Sequence, residues 1–341
     1  MPAGTQVAYY FGMNLTDNNI ACLELDDFVE ALTSPDYLTR HLRFPQGKNG
    51  YFSGTMHLLE QGFRQLPATY VQNYYKVYLL EQGQLRKVVQ TEPIDLGSQT
   101  LYITKPGQFN RWHAMDNTQG YVIAFSKEFL YSLQEQRNML TTFPFLSPIH
   151  QTYFKVDTRQ YRNLARLITR IHREYEAKSP SSYELVRVYT LELLLKSKRY
   201  SESERETENV VTEHPTTGSS AADISQRFVE RMEAYFVAGI CEGYVAPRSV
   251  ADYAHEVGVN QGHLNDCLKK HLGKTAKALI NERLLIAIQC KLLHSDLSVA
   301  EIGYALGFES PSYFNRFFRK LTGQTPADYR SQPPPFNRPG G

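Results

Sequence analysis

Residues 298–330 read SVAEIGYALGFESPSYFNRFFRKLTGQTPADYR, and residues 249–259 read SVADYAHEVGV. Set one above the other, Ser, Val, Ala, an acidic residue and the Gly before the last position coincide at an offset of 49. One extra residue in the later copy makes the offset 50, and Asn265 then matches Asn315, Lys270 matches Lys320, Gly273 matches Gly323 and Thr275 matches Thr325. One supersecondary unit is thus present twice, too few times for a solenoid.

Each copy has the parts of a helix-turn-helix. In the later one the spacing predicts a first helix from Val299 to about Leu306, with Ser298 as N-cap and Glu301 as the other half of a capping box. Gly307 supplies the positive φ that a tight turn demands, and Gly303 lets a second helix cross closely. Gly258 and Ala254 hold the same places in the earlier copy. The second helix of the later copy is expected to bury Phe314, Phe317, Phe318 and Leu321, spaced i, i+3, i+4, i+7. Its other side presents Ser312, Asn315, Arg316, Arg319 and Lys320, which suit base edges and phosphates in a major groove. In the earlier copy Leu264, Cys267 and Leu268 are the buried set, and Gln261, Gly262, His263, Asn265, Asp266 and Lys269 face outward. Between the units, Thr275 to His294 reads as one helix with no Gly or Pro. Its length of roughly 30 Å is close to the ~34 Å between successive major-groove faces. One chain is therefore expected to place two reading helices on one side of a duplex.

The chain has 341 residues, enough for two domains, with 42% hydrophobic and 21% charged residues and a formal net charge of only +2. A polyanionic partner must then be argued from where the charges sit. The four cysteines, Cys22, Cys241, Cys267 and Cys290, form no C-x-x-C pair and no dense disulfide pattern, so a reducing cytoplasm is expected. No apolar run reaches the ~20 residues of a membrane span, and the N-terminus lacks signal-peptide order. His263, Cys267 and His271 fall at i, i+4, i+8, a spacing that could hold zinc, but the internal alignment pairs Cys267 with Phe317 and His271 with Leu321, and packing is preferred. No metal and no cofactor is expected. Neither a Gly-rich phosphate loop, a G-x-S-x-G elbow nor an H-E-x-x-H pair is present, so nothing supports an enzyme.

From Tyr74 to Phe125 short runs rich in Tyr, Val, Ile and Leu, broken by Gly and Pro, predict a small antiparallel barrel or sandwich. Two amphipathic helices follow, one carrying Leu164, Leu167, Ile168 and Ile171 on one face and one after Pro180; they either cover the barrel or pair with a second subunit. Residues 201–222 hold almost no large apolar side chain and read as a flexible linker, and 332–341 as a disordered tail. The expected fold is α+β: a β-barrel domain with flanking helices over 1–200 and an all-α domain with two helix-turn-helix units over 223–331.

The region 223–330 resembles the DNA-binding domain of the AraC family of bacterial transcription regulators, the stretch 298–330 being the most specific part. The resemblance implies base contacts at Gly262, Asn265 and Asp266 in the first reading helix and at Pro311, Ser312, Asn315 and Arg316 in the second. It also implies a cytoplasmic homodimer that contacts double-stranded promoter DNA and RNA polymerase, often as an activator. Asp266 stands where many members carry Arg, and Gly262 where a larger side chain often reaches the groove. Residues 70–131, with ITKPGQFNRW and GYVIAFSKEFL, are similar to the cupin-like sensor domains of such regulators, which implies a small-molecule effector. Asn110 and Asn73 stand where many relatives have His, and the His and Glu cluster of a metal cupin is absent. Asn110, Trp112 and Tyr121 are the candidate ligand-binding residues. A ligand-free dimerisation module and a cupin enzyme fused to a DNA-binding tail are the competing readings of this domain.

Overall fold

The computed structural model describes residues 21–23, 25–26, 50–56, 69–89, 92–126, 128–129, 143–146, 153–177, 179–207 and 220–331. Aromatic and β-branched residues, buried on both faces in several strands, give strands β1 (Ala21–Leu23), β2 (Tyr51–Thr55), β3 (Thr69–Gln72), β4 (Tyr75–Val89), β5 (Glu92–Leu96), β6 (Thr100–Thr104), β7 (Phe109–Phe125) and β8 (Tyr153–Lys155). They form one sheet in the order β1-β3-β7-β4-β6-β8, with β2 also on β7 and β5 on β4. All pairings are antiparallel except β1 with β3, so the expected antiparallel barrel is a mixed sheet.

The long strands β4 and β7 carry register shifts between Leu80 and Gln84 and again before Lys87. A bulge exchanges the parity of the side chains that follow it. Tyr78 and Leu80 before the first shift and Leu85 and Val89 beyond Gln84 consequently enter one buried cluster, with Phe52, Tyr70, Tyr74 and Tyr102. The sheet curls around this interior. Its opposite face, with Val77, Leu79, Leu101, Ile123 and Phe125, is covered by helices α1 (Thr158–Ala177) and α2 (Ser182–Thr207). Leu164, Leu167, Ile168 and Ile171 are all buried, as their 3,4 spacing predicts.

Helix α2 continues to Thr207, and α3 (Ser220–Cys241) begins at Ser220, so both ends of the expected linker 201–222 are helical. SESERET has no Gly or Pro and several good helix formers, so polarity alone does not end the helix. Residues 208–219 and the tail 332–341 lie outside the described residues.

The remaining helices are α4 (Val250–Val257), α5 (Gln261–Leu272), α6 (Ala276–His294), α7 (Val299–Ala305), α8 (Pro311–Thr322) and α9 (Pro326–Arg330). They pack with α3 around a third cluster that includes Phe228, Phe236, Tyr253, Leu264, Leu268, Ile288, Ile302, Phe314 and Phe318. Val71 and Phe109 from the sheet belong to this same cluster, so the two halves share apolar contact. No helix among the described residues is long and apolar enough to cross a membrane.

Candidate nucleic-acid interface

Both reading units are built by the local rules visible in the sequence. Ser249 and Asp252 close a capping box at the start of α4, as Ser298 and Glu301 do at α7. Hydrogen bonds from the Ser249 and Ser298 caps hold the carboxyls of Asp252 and Glu301 below their ordinary range. The reading helices begin at further caps: Asn260 accepts from the His263 N–H, and Ser310 accepts from the Tyr313 N–H ahead of Pro311 at the first turn. Gly307 has φ +78, and a Cβ there would lie 2.6 Å from the Val245 carbonyl oxygen, so no other residue suits this turn.

The aromatic stripe divides the second reading helix as expected, with one correction. Phe314 and Phe318 are fully buried and Phe317 is partly buried, but Leu321 is 41% exposed. It lies in the last turn of α8, next to the αL cap Gly323, where the cluster beneath has ended. A Cβ on Gly303 would sit 3.2 Å from Phe314 Cγ, which is the close crossing that the small residue permits.

The opposite faces are open. On α5, Gln261, Gly262, His263, Asp266 and Lys269 are exposed; on α8, Ser312, Arg316, Arg319 and Lys320 are exposed and Pro311 is half-buried. The basic groups of the last turns, Lys269 and Lys270 on α5 and Arg319 and Lys320 on α8, suit phosphates. Gly262 has only its own cap Asn260 within 4 Å of where a Cβ would be, so the first reading helix presents bare backbone there.

Asn265 and Asn315 have their side chains hydrogen-bonded to backbone inside the domain. The Asn265 side-chain oxygen accepts from the Ala276 N–H at 3.0 Å, capping the bridging helix α6 from the neighbouring helix. Asn315 donates to the Pro311 carbonyl, one turn earlier in its own helix, at 2.8 Å. Both are half-buried. Position in a helical wheel does not reveal such bonds, because they depend on the approach of a second element. Asn265→Ala is expected to cost about 1 kcal/mol of stability, measured by urea denaturation. Unchanged stability with weakened DNA binding would instead make Asn265 a base contact.

In the first unit Cys267 is buried with Sγ 3.8 Å from His263 Nε2, and burial lowers the pKa of half-buried His271. No group of three metal-ligating side chains occurs among the described residues.

Of the candidate ligand-binding residues, Asn110 and Tyr121 do not come together. Asn110 is buried in the sheet interior, where it accepts from Lys87 Nζ at 2.7 Å and donates to Gln72 Oε1 at 3.2 Å and to the Gln108 carbonyl at 2.8 Å. Tyr121, eleven residues along the same strand, packs with the cluster under α1 and α2 and accepts from Thr169 at 3.5 Å. It lines an open pocket of about 470 Å³ with Thr55, Glu81 and residues 117–120. Trp112 lies on β7, but its side chain is outside the described residues.

Sequence reasoning missed the polar interior around Asn110. Lys76 and Lys87 are both fully buried there; Lys76 donates to the Tyr70 hydroxyl at 2.9 Å, and both ammonium groups lie 5.8 Å from the Tyr78 ring centroid. The Tyr102 hydroxyl is buried with no hydrogen-bond partner among the described residues. Burial lowers the pKa of Lys76, an effect deepened by Lys87, and brings Lys87 and the equally buried Lys105 down to about 7. The unfolded chain, with lysines near 10.5, binds protons between pH 7 and 10 that the folded chain does not. Stability is therefore expected to rise from pH 7 to pH 10, the window between the folded and unfolded values of Lys87 and Lys105. Urea midpoints across that range check this; Lys87→Met should flatten the slope, and an unchanged slope would count against the assignment.

Residues 253–332 match the helix-turn-helix domain family. The chain is 28% identical to the HTH-type transcriptional regulator ExsA of Pseudomonas aeruginosa over 116 residues, 34% of this chain and 40% of that protein. It is 35% identical to the HTH-type transcriptional activator RhaS of Salmonella arizonae over 77 residues, 23% of this chain and 28% of that protein. It thus spans less than half the length of these curated relatives. Among solved structures, an AraC-type DNA-binding domain regulator from Chromobacterium violaceum aligns at 28% identity over 33% of this chain and 96% of that one, with a TM-score of 0.29. ToxT from Vibrio cholerae, bound to an unsaturated fatty acid, aligns at 13% identity over 83% of this chain and 96% of that one, with a TM-score of 0.34.

Proposed function

We propose that this chain is an AraC-type regulator that controls transcription by reading promoter DNA with α5 and α8, a reading supported by its match to the helix-turn-helix domain family. The observation that carries the reading is the duplication itself: two capped helix-turn-helix units on one bridging helix, each with an open polar face. The test is selection by the full-length protein from a randomised duplex library. A recovered motif with two half-sites about one helical turn apart, bound with a steep loss of affinity as salt rises, supports it. Equal retention of all sequences would sink it.

The second helix carries most of the base reading in this proposal. Arg316 is exposed at the middle of α8, while Gly262 offers no side chain and Asp266 suits only a donor such as cytosine N4. Arg316→Ala is expected to cost about 1–3 kcal/mol at the selected site and to relax preference at one base pair. Equal losses on selected and random duplexes would make Arg316 a phosphate contact.

The N-terminal domain is proposed to tune this activity by holding a small polar molecule in the sheet interior, a reading supported by the buried hydroxyl of Tyr102 beside Lys87. The competing reading, a ligand-free dimerisation module, is favoured by the bonds that Lys76 and Lys87 already make to Tyr70 and Asn110. Thermal-shift screening of the full chain against metabolites separates them. Homodimerisation through α2 is supported by Val188 and Leu195, which stand 60% and 48% exposed two turns apart. A cytoplasmic activator that contacts RNA polymerase, without enzymatic activity, completes the proposal.

A further inference from the structure

We infer that the Cys22–Cys241 disulfide is a reversible redox latch between the sensor sheet and the DNA reader, opened by low-molecular-weight thiols of the glutathione class. The inference concerns how the two halves are held together and does not require the DNA-reading proposal.

The bond joins residues separated by 219 positions in sequence. Cys22 lies in β1 opposite Val71 of β3, at the sheet surface that faces the reader. Cys241 is the last residue of α3, the helix that carries the first reading unit through contacts such as the Phe228–Tyr253 ring pair at 5.5 Å. A covalent bond here ties the end of α3 directly to β1 of the sheet. The four cysteines divide sharply by accessibility. Cys241 is exposed and Cys22 half-buried, whereas Cys267 and Cys290 are buried, and burial pushes the Cys290 thiol far above its ordinary pKa. Only the bridging pair is open to exchange.

Val71 and Phe109 add to the reader's core, Gly107 lies against Val237, Arg283 reaches the Gly107 carbonyl, and Arg111 meets His294. Removing the cross-link lowers the effective concentration of these contacts, so the two surfaces separate more often. In a reducing compartment an accessible disulfide persists only transiently and is usually a redox sensor.

The exchange balances with two thiols. A thiolate attacks the exposed Cys241 sulfur, forming a mixed disulfide and releasing the Cys22 thiolate, which takes up a proton. A second thiolate attacks the mixed disulfide and frees Cys241. Two small thiols are oxidised to one disulfide, and the protein gains two thiols; oxidised glutathione drives the reverse.

The test equilibrates the full-length protein with reduced and oxidised glutathione at set ratios. Quenched samples are alkylated and the Cys22–Cys241 peptide is quantified by mass spectrometry, with backbone hydrogen exchange measured in parallel. The expected result is a bond that forms in oxidised glutathione and is lost in millimolar reduced glutathione. Its loss should raise exchange about tenfold over residues 105–111 and 233–243, while the β4–β6 pairing is unchanged. Cys22→Ser and Cys241→Ser should each show the fast pattern in either buffer. Three results would overturn the latch: no bond in oxidised glutathione, a bond that survives millimolar reduced glutathione, or a bond whose loss leaves exchange unchanged. Because DNA binding is not the readout, failure here and failure of the regulator proposal are distinguishable.

Discussion

Phe314→Ala is expected to destabilise the second reading unit by about 3–5 kcal/mol, the cost of an emptied aromatic site in a close-packed core. The ring is fully buried, makes an edge contact with Phe308 at 5.1 Å and sits directly against Gly303. Glycine has no side chain to move into the hole, and Ile302 and Phe318 are held by their own helices, so the site cannot collapse far. Denaturation followed by circular dichroism measures the loss, and DNA binding should fall with it because α8 is oriented by this contact. Leu321→Ala is the control. The i+7 spacing would make it equally costly, but with 41% of the residue exposed it should cost under about 1 kcal/mol. Similar losses at both positions would refute the assigned packing.

That contrast shows where the sequence was legible. The caps at Ser249 and Ser298, the turn at Gly307 and the burial of Phe314 and Phe318 follow from local rules acting within a dozen residues, and a duplicated unit exposes them twice. The end of the aromatic stripe at Leu321 depends on where the neighbouring helices stop. Asn265 was legible as a surface position, but its bond to Ala276 was not, since the partner belongs to another helix. The buried lysines were hidden by the irregularities of β4. A strictly alternating strand would put Lys76 and Lys87 on opposite faces, and the register shifts between them bring both inside. The Cys22–Cys241 bond and the Arg283–Glu233 ion pair join residues 219 and 50 positions apart in sequence, a relation that no periodicity or spacing carries.

That ion pair is the site of the second large effect. Arg283→Met should cost about 3–5 kcal/mol, the loss seen when one partner of a buried pair is removed and the other is left without its counter-charge. Arg283 Nε donates to Glu233 at 2.8 Å, and the two side chains are only 4% and 15% exposed. The guanidinium also lies 5.1 Å from the Phe236 ring and 3.4 Å from the Gly107 carbonyl, so one side chain ties α6 to α3 and both to the N-terminal sheet domain. Methionine keeps the apolar stem but leaves the Glu233 carboxylate facing a low-dielectric surface. Lys105 offers partial compensation, because burial brings its pKa to about 7 and the charge of Glu233 acts to raise it. The penalty should accordingly be smaller at pH 6, where Lys105 is protonated, than at pH 9, where it is neutral. Adding Glu233→Gln to Arg283→Met removes the stranded charge and should recover more than half of the loss, giving a strongly non-additive cycle. Urea denaturation of the two single variants and the double variant at both pH values measures this; additive losses under about 1 kcal/mol, the range of a solvated pair, would mean that the junction is held by its apolar contacts and its disulfide alone.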